Sequence, residues 1–103
     1  RDVLYELLLK RGVDLAAPIQ EKMAQGKVIY SIGYGAIFVC LSDRIDRDDI
    51  EILAKEIVSW KNELSPALEC HVFFRDSAFY DDVSKTNMVA ILEQSGIAHV
   101  RSI

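Results

Sequence analysis

Six consecutive residues, Ala36-Ile37-Phe38-Val39-Cys40-Leu41, carry no charged or amide side chain. This run constrains the fold more than any other stretch of the chain. A strand with one wet face alternates apolar and polar residues, so an unbroken apolar strand has to be covered on both faces, inside a sheet. Gly33-Tyr34-Gly35 stands immediately before it and reads as a hairpin turn. The preceding strand, Lys27 to Ile32, is therefore its antiparallel neighbour. A helix follows, then a second largely apolar strand from Glu69 to Arg75. Strands separated by a helix run parallel, through a right-handed crossover. The sheet is expected to be mixed.

The remaining elements fall around that centre. Val3 to Lys10 reads as a short helix with apolar positions at Val3, Leu4, Leu7 and Leu8, stopped at Gly12. Ile19 to Met23 reads as an edge strand, because Pro18 at its start and polar alternation both suit an edge. Gly26 turns the chain into Lys27–Ile32. Asp46 is placed as a helix N-cap, with Asp48 and Asp49 where the helix dipole favours negative charge. Ile50, Leu53, Ala54, Ile57 and Val58 then share one helical face, and Pro66 bars continuation. The periodicity predicts a further helix from Val83 to Ser95. Gly96 suits its C′ position, and Ile97 is spaced to touch Leu92. His99 to Ile103 reads as a last, parallel strand. The expected fold is a single α/β domain over residues 1–103, in the order α-β-β-β-α-β-α-β, with helices packed on a mixed sheet.

At 50% hydrophobic and 27% charged, the 103 residues suit one domain with its own core. The apolar stretches are too short to span a bilayer. Cys40 and Cys70 lack metal-ligand spacing and lie in apolar runs, so they read as buried reduced thiols of a cytoplasmic protein. The net charge of −4 argues against a module that grips phosphates, and Lys and Arg are scattered among acids as on a solvated surface.

The segment Phe73-Phe74-Arg75-Asp76-Ser77-Ala78-Phe79-Tyr80-Asp81-Asp82-Val83-Ser84-Lys85-Thr86-Asn87, with Gly96-Ile97 and the closing Val100-Arg101-Ser102-Ile103, resembles the C-terminus of the modification subunits of type III restriction–modification systems. Tyr5 to Lys10, Gly12 to Leu15 and Phe38 to Leu41 extend the resemblance over nearly the whole chain. Those subunits are adenine-specific DNA methyltransferases that use S-adenosylmethionine. They pair with one another and with a restriction subunit. The resemblance, together with a start at Arg1 rather than Met, implies a closing piece of a longer methyltransferase. It also singles out Asp76, Phe79, Lys85 and Asn87 as family-motif residues. Methyl transfer would need a cofactor loop and an Asp-Pro-Pro-Tyr type tetrad to hold the flipped adenine. The prolines are Pro18 and Pro66, in other contexts. The expectation is a domain without catalytic, cofactor or metal residues of its own, serving subunit assembly, with DNA and S-adenosylmethionine handled elsewhere in the parent chain.

The other residues with chemical potential have plainer readings. Gly33-Tyr34-Gly35 lacks the third glycine and the following helix of a dinucleotide loop. Tyr34 at its tip is the candidate contact residue. Asp76, Asp81 and Asp82 lie after a parallel strand, where ligands bind in α/β proteins, and paired carboxylates could hold Mg²⁺. A small hydrolase or nuclease centred on Asp76 is thus one alternative, and an accessory DNA-contact module another. Against the first, Asp81 and Asp82 suit a helix N-cap, Asp76-Ser77 suits an Asx turn, and no third ligand is evident. Lys85 and Asn87 are expected to tie down the loop before their helix. His71 and His99, without Cys or Ser partners at a telling spacing, read as structural. Trp60 reads as a cap on the core or an anchor at a subunit contact.

Overall fold

The crossover rule decides the architecture. Two right-handed crossovers stepping the same way across a sheet put both helices on one face. The computed structural model describes residues 18–64 and 69–103, and the expected helix over 3–10, with its stop at Gly12, lies outside those residues, as does Pro66. Five strands, β1 (Ile19–Ala24), β2 (Lys27–Ile32), β3 (Ile37–Cys40), β4 (His71–Phe74) and β5 (His99–Ser102), form one sheet in chain order. The β1–β2 and β2–β3 pairs are antiparallel, and β3–β4 and β4–β5 are parallel. Helix α1 (Ile50–Leu64) links β3 to β4, and α2 (Asp82–Gln94) links β4 to β5. Among the described residues the order is therefore β-β-β-α-β-α-β, a compact mixed α/β arrangement.

Burial follows the two faces of the pleat. Phe38, Cys40, Val72 and Phe74 join Leu53, Ile57 and Trp60 of α1, and Met88 and Leu92 of α2, in one core. On the opposite face Ile32, Val39 and Phe73 form a second cluster. Phe38, Val39 and Cys40 are all essentially inaccessible, which is the two-sided burial that the apolar run demands. Fully burying each such large side chain contributes about 1.5–3 kcal/mol, so this strand is the centre of stability. Trp60 is buried in the core, not set out on the surface. Its ring lies 5.5 Å from Phe38, and the Lys22 amine stands 4.9 Å above it.

Local chemistry sets the element ends. Gln25 and Gly26 both have positive φ, 52° and 72°, which gives the β1–β2 hairpin a two-residue turn of the hand that matches strand twist. A short 3-10 turn at Arg47–Asp49 precedes α1, and the Asp49 carboxylate accepts the Asp46 backbone N–H at 2.8 Å. At the end of α2, Ile97 N–H donates to Leu92 C=O and Gly96 N–H to Glu93 C=O. With Gly96 at φ +91° and both Leu92 and Ile97 fully buried, this is a Schellman ending. Both thiols are buried and unbridged, and burial raises their pKa values, that of Cys70 to about 11. Among the described residues no helix is long and apolar enough to cross a membrane.

Candidate functional site at the carboxyl end of the parallel strands

Strands β3, β4 and β5 run the same way, so the segments leaving them gather at one end of the sheet. Ser42 and Asp43 follow β3, Arg75 and Asp76 follow β4, and Ile103 follows β5. The main chain fastens this end: Ile103 N–H donates to Phe74 C=O at 2.8 Å, and Asp76 N–H donates to Ile103 C=O at 2.9 Å. A 3-10 turn over Asp76–Ala78 leads to α2. Ile45 and Phe79 then pair in a parallel bridge that joins this loop to the one after β3.

The charged side chains at this end take partners one by one. Asp76 accepts from Lys85 Nζ and, at 2.9 Å, from Ser102 Oγ. The lysine contact, followed by the hydroxyl, holds its carboxyl below the ordinary value. Asp76 does not close an Asx turn with Ser77, because its carboxylate reaches across to α2 and β5 instead. Asp81 caps α2, accepting the Ser84 backbone N–H at 2.8 Å, and takes Arg47 Nη2 on its other oxygen at 2.8 Å. Arg47 first, and then the Ser84 N–H, lower its pKa to about 2. Arg75 donates to Asp43 at 3.1 Å. Asp82 lies in the first turn of α2, exposed.

These carboxylates do not converge. Two-metal and Mg²⁺ chemistry needs oxygens aimed at a common point, whereas Asp76 faces Lys85 and Asp81 faces Arg47. Lys85 does tie the loop, as expected. Asn87 does not: it is exposed on α2 and its side chain makes no hydrogen bond to another described residue, because it sits two residues past Lys85 and so on a different side of the helix. Phe79 is half-buried against the core, edge-on to Phe74 with ring centres 5.5 Å apart. Tyr80 and Val83, by contrast, are 64% and 65% exposed, with the Arg47 guanidinium 4.6 Å from the Tyr80 ring.

The opposite end of the sheet holds Tyr34 and the two histidines. Gly33, Tyr34 and Gly35 all have positive φ, and Tyr34 is 58% exposed at the tip. The two flanking glycines are natural there, but a tyrosine in this region is uncommon and strained. His71 and His99 open β4 and β5 in direct register, with rings stacked at 4.4 Å and 13° apart. The His99 Nε2 stands 2.5 Å from a Glu69 carboxylate oxygen. The signal that unites the two histidines is that each is the first residue of a parallel strand, at the same pleat position.

The chain matches no protein-family model, no curated protein and no solved structure.

Proposed function

We propose that the chain is a non-catalytic closing domain of a type III modification methyltransferase and that it serves subunit assembly. One observation carries the reading. Asp76, Phe79 and Lys85, three of the four motif residues that the resemblance singles out, are engaged in holding the fold: a carboxylate on a lysine and a serine, and a ring against the core. A motif used this way preserves a shape, as an assembly domain requires. Tyr80, exposed with the Arg47 guanidinium over its ring, offers a docking point of the composition that anchors protein interfaces. Adenine methylation, S-adenosylmethionine and DNA belong in this reading to the rest of the parent, and the twin modification subunit and the restriction subunit are the partners.

The test is removal of this domain from the full modification subunit. Association with the twin or the restriction subunit should fall, while the remaining methylase core keeps its affinity for S-adenosylmethionine. Full assembly of the truncated subunit with both partners would end the proposal. The 103-residue chain by itself should give no heat on titration with S-adenosylmethionine, and micromolar binding would contradict a non-catalytic role.

A further inference from the structure

We infer that Glu69, His71 and His99 form a binding site for a zinc-class divalent metal ion at the amino end of β4 and β5. Their ligand atoms, one per residue, all lie within 4.8 Å of one another. The inference is independent of the assembly role.

The local structure explains why these three meet. Cys70 points into the helix-side core. In extended chain its neighbours on both sides, Glu69 and His71, therefore face the other way. Parallel register then sets His99 beside His71 on that same face. Because β5 is the outermost strand, the site opens to solvent at its edge, and the side chains of His99 and Glu69 are 30% and 74% exposed.

Two imidazoles and a carboxylate are the donor set of a three-ligand zinc site with a fourth position for water. Nitrogen donors favour zinc, copper and nickel over Mg²⁺ or Ca²⁺, which take oxygen. Ligand atoms of a tetrahedral site stand about 3.3 Å apart, given metal–nitrogen bonds of about 2.0–2.1 Å. The three groups must therefore close on the metal. A metal must also lie in the plane of each imidazole it binds, and two rings stacked at 13° share no plane. Binding thus turns one ring about χ2 and breaks the stack. His99, on the edge strand, has the room to turn. The ion replaces the Glu69–His99 contact with two metal bonds, so it fastens the segment entering β4 to β5.

The chain has two histidines, so the imidazole signals in a nitrogen–proton NMR spectrum report the site directly. Zinc titrated into the untagged 103-residue chain should move both histidine signals together and saturate at one equivalent. The melting temperature should rise by several degrees at 100 µM zinc, because an ion that binds only the folded chain stabilises it. His71→Gln and His99→Gln should each weaken binding by about tenfold or more, and Glu69→Gln should weaken it less, as the loss of the exposed ligand. Cys70→Ser should leave binding unchanged. Movement of one histidine signal only, binding weaker than about 1 mM, or retention of the full effect in the His71→Gln/His99→Gln double variant would overturn the site. Its loss in Cys70→Ser would overturn it too, by assigning the metal to a thiol. If a Gln variant folds poorly, the NMR titration of the unaltered chain still decides.

Discussion

The two ends of β4 and β5 are built from similar amounts of polar chemistry and put it to opposite use. At the carboxyl end, Asp76 and Asp81 each meet a cation and a further donor, and Asp43 meets Arg75. At the amino end, His71, His99 and Glu69 present nitrogen and oxygen atoms to a shared space. The first arrangement satisfies its charges internally and so contributes to the fold. The second pairs Glu69 with His99 and stacks the two imidazoles, contacts that the proposed ion would exchange for metal bonds. The difference teaches that a cluster of acids after a parallel strand, a place where ligands bind in α/β proteins, can be closed by its own helix. A pair of isolated histidines can open a site that no local pattern announces.

The largest expected effect that sharpens this contrast is at Asp81. Replacing it with Ala removes the α2 cap together with the Arg47 contact and should lower the melting temperature by roughly 4–8 °C. An unchanged melting temperature would mean that the carboxyl end is not structural. Acid should act through the same group. The folded pKa of Asp81, about 2, lies below its unfolded value of about 3.9. Its contribution is therefore complete above about pH 4 and is lost as pH falls from there toward 2. Arg47→Gln removes the chief cause of the shift, so that variant should lose less stability between pH 5 and pH 2 than the unaltered chain. Parallel acid curves for the two proteins would show that Arg47 does not set the dependence.

A smaller effect, of opposite sign, is expected at the amino end. Tyr34→Gly relieves the positive φ and should raise the melting temperature by about 2–5 °C. In the proposed assembly role Tyr34 is a contact residue, and the same change should then weaken subunit association. A fall in melting temperature would show that the ring has a stabilising role in the monomer. The smallest expected effect is none: Mg²⁺ at millimolar concentration should leave the melting temperature unmoved, since Asp76 is held by Lys85 and Ser102. A saturable rise would restore the hydrolase reading of Asp76.

Local chemistry made much of the fold legible in the sequence. The Asp81 cap, the Gly96–Ile97 ending and the Gly26 turn are each written within a few residues, and each forms as read. The apolar run through Phe38 gave the central strand, although pairing confines it to Ile37–Cys40 and confines the next strand to His71–Phe74. What sequence left hidden is what depends on register between strands far apart in the chain. Asp76 and Ser102 are brought together by β4 and β5, as are His71 and His99. Each pair is joined across the whole of α2, and no periodicity specifies the alignment to a single residue. Asn87 differs from these pairs. Its proximity to Lys85 in sequence is not proximity on a helix, where neighbours on one face are three or four residues apart.

The placement of Trp60 has an optical consequence. It is the single tryptophan of the chain, closed between Phe38 and the Lys22 ammonium where α1 meets β1 and β3. Its emission therefore gauges whether α1 is seated on the antiparallel half of the sheet, whereas the histidines on β4 and β5 report the parallel half through their own resonances. The protein thus carries two intrinsic reporters on separate halves. Denaturation followed by fluorescence and by imidazole signals will show, without a label, whether the antiparallel hairpins and the parallel crossovers come apart as one cooperative unit or in sequence.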